Sequence, residues 1–158
     1  EYSGVVKSML HALKFKGNSS LMHHINNIIL AEIEKHAITC DSITCVPIEK
    51  KNNWKRGFNQ SQLMAKGLAK SLHISFQNLL KINKNYKNQK ELSYSHRFIA
   101  IINKYSMEKN IDLSGKSILI TDDVFTTGAT LNECARILKE SGARTVTTIS
   151  LARVRKIV

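Results

Sequence analysis

The sequence predicts an α/β fold, an open and mainly parallel sheet flanked by helices, and three observations carry that expectation. Short β-branched or apolar segments alternate along the chain with stretches in which apolar residues recur at helical spacing. The run Ile118-Leu119-Ile120 is continuously apolar, as expected of a strand covered on both faces. The 158 residues, 42% hydrophobic and 23% charged, suit one soluble domain over 1–158 with a real core.

In chain order, Val5, Val6, Met9, Leu10 and Leu13 predict a first helix. Leu21, Ile25, Ile28, Ile29 and Ile33 predict a second over 20–36, with Ser19 or Ser20 as its N-cap. Ser42-Ile43-Thr44-Cys45-Val46 is β-branched and stops at the single proline, Pro47, so it reads as a strand feeding a loop. Leu63, Met64, Leu68 and Leu72 form one stripe of a helix over 60–72, and Leu79–Ile82 reads as a short strand. The polar, basic stretch 83–95 reads as a mobile loop. Lys116–Thr121 is the apolar strand, and Leu131, Cys134, Ala135 and Leu138 mark a helix that Gly142 ends. Thr145–Leu151 is a last β-branched strand. There is no internal repeat.

Composition excludes several classes. The longest apolar stretches fall far short of the roughly twenty residues that span a bilayer, and no secretory leader is visible, so a cytoplasmic protein without membrane insertion is expected. Cys40, Cys45 and Cys134 are an odd count without C-x-x-C spacing, which argues for small reduced core residues over disulfides or a self-contained zinc site. The adjacent His23-His24 point about 100° apart on a helix and make poor joint ligands. The chain opens on Glu1 rather than Met, which predicts a fragment of a longer product.

Charge is unevenly spread. Residues 50–109 carry 13 Lys or Arg against Glu91 and Glu108, so +11 of the net +12 lies in that segment. Such a concentration is either a well-solvated surface or a face for polyanions. Lys81, Lys84, Lys87, Lys90 and Arg97 are its candidate nucleic-acid contacts. Tyr86, Tyr94, Phe98 and Tyr105 are interleaved with these cations, as stacking partners for single-stranded nucleic acid would be, and as a half-buried helix would also have them.

The chemistry concentrates in Ile118–Thr130. A buried strand runs into Asp122-Asp123, turns over Thr126-Thr127-Gly128-Ala129-Thr130, and enters a helix. Ligands of parallel α/β sheets bind at the carboxyl ends of the strands. The loop offers amides, hydroxyls and a glycine at a helix N-terminus, where the dipole favours a phosphate. Asp122 and Asp123 can accept from sugar hydroxyls or hold a hard cation. Paired acids at a strand end also suit a phosphorylatable receiver domain, but too little chain follows Asp123 to complete that sheet.

These thirteen residues resemble the signature of type I phosphoribosyltransferases, which bind 5-phosphoribosyl-1-pyrophosphate (PRPP). More narrowly, the chain resembles the ComF (competence protein F) family through Tyr2, Lys14–Gly17, Val46-Pro47-Ile48, Arg56-Gly57-Phe58-Asn59-Gln60, Gln89, Leu92, Arg97, Asp122–Thr130 and Leu151-Ala152-Arg153. The Arg-Gly-Phe-Asn-Gln element is the most family-specific. The resemblance implies a type I phosphoribosyltransferase-like fold, with Val46, Pro47 and Ile48 where pyrophosphate is cradled and Arg56 as a bidentate phosphate ligand. It implies PRPP contact by Asp122, Asp123, Thr126, Thr127, Gly128, Ala129 and Thr130, with Asp122 and Asp123 also catalytic and Mg²⁺-binding. It places a mobile loop over 83–97. The family's Arg-x-x-Asn in that loop has Ala100 at its last position here, and its upstream four-cysteine zinc module is expected to lie outside this fragment.

The function so implied is a PRPP-binding protein of natural competence. It would handle incoming single-stranded DNA during uptake and transformation, alongside helicase or DNA-processing proteins, with Mg²⁺-dependent phosphoribosyl transfer if it catalyses. Two alternatives remain: a nucleotide-salvage phosphoribosyltransferase, and a regulator that senses PRPP without turnover.

Overall fold

The apolar run around Ile118–Ile120 becomes the middle of a four-stranded, all-parallel sheet in the structure, a computed structural model that describes residues 8, 20–49, 58–83, 101–108 and 111–154. The elements are α1 (Ser20–Lys35), β1 (Ser42–Cys45), α2 (Gln60–Ser71), β2 (Ser75–Phe76), β3 (Leu80–Ile82), β4 (Tyr105–Met107), β5 (Ser117–Phe125), α3 (Ala129–Glu140) and β6 (Thr145–Arg153). The sheet order is β2-β1-β5-β6, and β3 pairs antiparallel with β4 in a separate two-stranded sheet. The expected open α/β sheet is therefore present. The helix expected over 5–13 lies outside the described residues, apart from Ser8.

Alternation along β5 explains how one strand serves two cores. Leu119 packs with Ile43 and Cys45 beneath α1 and α2. Ile118 and Ile120 point the other way, into Leu131, Cys134, Ile137 and Leu138 of α3 and into Leu79, Leu80 and Tyr105. All three β5 residues are at most 1% exposed, so the continuous apolar run is a direct consequence of two covered faces. Cys45 and Cys134 are buried, Cys40 is half-buried, and all three thiols are free.

The helices follow their expected bounds closely, with two apolar residues turned outward. Ile28 of α1 and Leu63 of α2 are 54% and 36% exposed, while Met22, Ile25, Ile29 and Ile33 make the buried face of α1. On α2, Ala65 and Ala69 take the buried places beside Met64 and Leu68. Asn59 caps α2, its side chain accepting from the Gln62 amide at 3.4 Å. Helix α3 ends at Ser141, and Gly142 follows with φ 97°, the left-handed position expected of it.

Helices α1 and α2 approach closely because Gly67 has no side chain. A Cβ there would fall inside the Asn26 carboxamide, which is buried and has an unpaired Oδ1. Gly67→Ala is expected to lose about 1–3 kcal/mol by overpacking. Adding Asn26→Ala should restore that loss, because it removes both the clash and a buried unsatisfied oxygen, and alanine is the better helix former by about 1 kcal/mol. Urea midpoints of the two variants check this, and a Gly67→Ala protein as stable as the wild type would refute it.

The structure differs from expectation in several places, among them the two-residue strand β2, which the sequence did not predict, and β6, which runs past Leu151 to Arg153. Strand β4 had no sequence forecast. Its Tyr105 is 6% exposed in the second core, so Tyr105 is not a surface stacking residue. The apolar strand does not end at Thr121; β5 continues to Phe125 because Asp122, Val124 and Phe125 pair with Ser150, Ala152 and Arg153 of β6. The turn that follows is correspondingly short, and Ala129 and Thr130 already belong to α3.

Candidate ligand site at the strand ends

Strand order places the site. From β1 the chain crosses through α2 outward to β2, and from β5 it crosses through α3 outward to β6 on the opposite side. Strands β1 and β5 are thus neighbours whose connections diverge, which opens a crevice at their carboxyl ends. Into it run Val46–Glu49, the first turn of α2, and the end of β5 with the turn into α3.

Buried hydrogen bonds lock these pieces together. The Thr121 hydroxyl donates to the Ser61 carbonyl at 2.9 Å and lies 3.4 Å from the Thr44 carbonyl. The Val46 amide donates to the Thr121 carbonyl at 3.0 Å, and Asn59 Nδ2 donates to the Val46 carbonyl at 3.1 Å. Both backbone groups of Val46 are therefore engaged in the fold, and its side chain is buried. Pro47 and Ile48, which follow, are half-buried. Gln60, the first residue of α2, is buried with its Nε2 unpaired.

Asp122 is the most perturbed group of this crevice. Its Oδ1 accepts from Ser61 Oγ at 3.2 Å and from the Asp123 amide at 2.9 Å. Burial first, and the adjacent Asp123 charge second, push its carboxyl up to about 7, against the pull of those two donors. No Lys or Arg pairs with Asp122 among the described residues. A carboxyl held that high near neutrality, beside a second carboxylate, favours the arrival of a cation or of hydroxyl donors.

The turn after β5 completes the site. Gly128 takes the N-cap position of α3 in the left-handed region, φ 79°, and provides no side-chain cap. The Ala129 amide is taken by Thr127 Oγ1 at 3.2 Å; the remaining first-turn amides of α3 have no partner within the helix. Asp122, Val124, Phe125, Thr126, Gly128 and Thr130 line a hollow there with Leu131. The Asp122 carboxylate on one wall and a helix N-terminus on the other make a place for a polyhydroxylated phosphate ester.

Of the sequence-derived candidates, Asp122, Thr126, Gly128 and Thr130 line the hollow, with Asp123, Thr127 and Ala129 adjacent in the chain. Val46 departs from its expected ligand role, since its backbone groups are used by the fold and its side chain is buried; Pro47 and Ile48 follow it. Arg56, Lys84, Lys87, Lys90 and Arg97 lie outside the described residues. Lys81 is exposed on β3, opposite Ser106 of β4. Sequence reasoning missed Ser61 and Thr121, which hold the first turn of α2 against β5. The only trace of Ser61 in the sequence is its place two residues after the capping Asn59. The Lys104–Glu49 ion pair, 3.4 Å, also went unseen; it ties the return into β4 to the loop after β1.

Comparison with known proteins agrees with this fold. The Phosphoribosyl transferase domain family matches residues 59–156. DNA utilization protein YhgH of Escherichia coli (strain K12) is 30% identical over 159 residues, which cover 97% of this chain and 69% of that protein. Competence protein F of Haemophilus influenzae is 33% identical over 116 residues, 72% of this chain and 50% of that protein. Among solved structures, adenine phosphoribosyltransferase from Thermoanaerobacter pseudethanolicus superposes with a TM-score of 0.58 at 15% identity, covering 88% of this chain and 84% of that one. That last likeness is one of fold.

Proposed function

We propose a function from the premise that this chain belongs to the phosphoribosyl transferase domain family, and within it to the ComF group: it binds PRPP together with Mg²⁺ and serves the handling of single-stranded DNA in uptake and transformation. The observation that carries the PRPP half is the buried Asp122, with Asp123 next to it in the chain, sharing a hollow with a helix N-terminus that has no side-chain cap, at the divergence of β1 and β5. The Thr126–Thr130 turn takes the 5′-phosphate. Asp122 and Asp123 accept from the ribose hydroxyls, and the arrival of those donors returns Asp122 to its charged form. Pro47 and Ile48 shape the pyrophosphate side, where the sequence also places Arg56.

Among the described residues no group of three or more His, Cys, Asp or Glu side chains could hold a metal ion. Two carboxylates beside a pyrophosphate site fit Mg²⁺, which is commonly held by one or two carboxylates plus substrate oxygens and water. Asp122 and Asp123 are the residues that would hold it, and it would neutralise charge on the pyrophosphate. The DNA half rests on the basic segment and on the relatives named for DNA utilization and competence. Among the described residues no helix is long and apolar enough to cross a membrane.

Titration calorimetry with PRPP and Mg²⁺ tests the reading, and a saturable one-to-one isotherm is expected. Absence of binding would refute it. Pyrophosphate release, measured with candidate acceptors present, then separates an enzyme from a sensor.

A further inference from the structure

One arginine at the mouth of the site is positioned by the fold and, among the described residues, makes no hydrogen bond or ion pair. Phe125 and Arg153 are direct partners across β5 and β6, and the Val154 amide donates to the Phe125 carbonyl at 2.9 Å, so the pairing holds to the strand ends. The Arg153 guanidinium lies over the Phe125 ring, 5.4 Å from its centroid. The ring in turn packs over Gly128: a Cβ there would lie 2.7 Å from Phe125 Cζ. The missing side chain at Gly128 therefore leaves room for the ring, and the ring carries the cation above it.

Other arginines among the described residues are engaged. Arg136 is bound by Glu133 and Glu140, and Arg144 donates to Ser117 Oγ at 2.9 Å. Arg153 is exposed and has no hydrogen bond or ion pair among the described residues. A guanidinium held over an aromatic ring by a cation–π contact keeps its N–H donors free, and its fork matches two oxygens of a phosphate. Its place, at the carboxyl ends of two parallel strands and beside the hollow lined by Phe125, is where a ligand passing the site would run.

We infer that Arg153, held against Phe125 beside the Asp122–Thr130 hollow, docks a phosphodiester group of single-stranded nucleic acid lying across the ends of β5 and β6. The inference rests on the proposed DNA-handling role and adds a contact to it outside the basic segment 50–109. It places the strand next to the PRPP site and leaves PRPP itself to the turn and the carboxylates.

The experiment compares wild type, Arg153→Gln and Arg153→Lys. Fluorescence anisotropy with a labelled single-stranded oligothymidylate, at fixed low ionic strength, reads one ligand; calorimetry with PRPP and Mg²⁺ reads the other. Arg153→Gln is expected to weaken oligonucleotide binding about tenfold, the size of one charged hydrogen-bonding contact. Arg153→Lys should fall between, keeping the charge but not the flat fork. PRPP affinity should stay within about twofold for Arg153→Gln, well inside the change that one lost charged contact produces. Oligonucleotide affinity unchanged in Arg153→Gln, with wild type binding, overturns the assignment of Arg153 alone, as does an equal loss of PRPP affinity. A wild type that binds no oligonucleotide overturns the DNA-handling role as well, while a wild type that binds oligonucleotide but no PRPP removes the PRPP reading and leaves Arg153 standing.

Discussion

Replacing Asp122 and Asp123 together by asparagine is expected to lower PRPP affinity by about two orders of magnitude or more, because each carboxylate supplies charged hydrogen bonds of about 1.5–3 kcal/mol. The same chemistry makes the empty protein pay for its site, and the single variant Asp122→Asn exposes that cost with the opposite sign. Asp122 is raised to about 7 in the folded protein, from an unfolded value of about 4. Between those values the folded state binds a proton that the unfolded state has lost, so wild-type stability falls as pH rises from about 4 to about 7. Below about 4 both states are protonated and the asparagine variant should match the wild type. At pH 8 it should be more stable, by up to about 4 kcal/mol, three pH units at about 1.36 kcal/mol each. Urea midpoints at pH 4 and pH 8 measure one arm and calorimetry the other. Unchanged PRPP affinity in a folded double variant would refute the assigned role of the pair, and a pH-independent stability difference would refute the cause given for the Asp122 shift.

Contiguity along the chain decides which parts of the site were legible in the sequence. Asp122-Asp123 and Thr126–Thr130 are contiguous, and their chemistry follows from their order along one strand and turn. Ser61 is legible only after folding, since its hydroxyl reaches Asp122 because Thr121 first draws the Ser61 carbonyl to β5. The same division runs through the fold. Strand β5, α3 and β6 have strong local patterns, whereas Tyr105-Ser106-Met107 becomes a strand because Leu80 and Ile82 present an edge to it. The length of β5 was likewise set by a partner: Asp122–Phe125 remains extended because the Ser150–Arg153 end of β6 pairs alongside. Ile28 and Leu63 mark the limit of apolar periodicity, which counts residues on a stripe without knowing how wide a face the neighbouring elements cover.

Single-stranded DNA should bind at low salt and be released steeply as salt rises, with a log–log slope of about −0.7 for each phosphate contacted. The structure narrows which groups can carry that dependence. Lys104 lies within the basic segment but is paired with Glu49 and only 18% exposed, so it is not among the expected phosphate contacts. Tyr105 is buried, so stacking cannot involve it. Lys81 is exposed on β3, at the start of the run that the sequence continues through Lys84, Lys87 and Lys90. Replacing these four by serine is expected to reduce the magnitude of the slope by up to about 3 units, four contacts at about 0.7 each. Between 50 and 200 mM salt the wild type should then lose up to about 50-fold more affinity than the variant. PRPP binding should be unaffected, because the Asp122–Thr130 site draws on none of the four. A variant with the wild-type slope would show that the charge of this run is solvated surface. A wild type that does not bind DNA even at low salt, yet binds PRPP, would turn the assignment toward nucleotide salvage, where the positive charge is incidental.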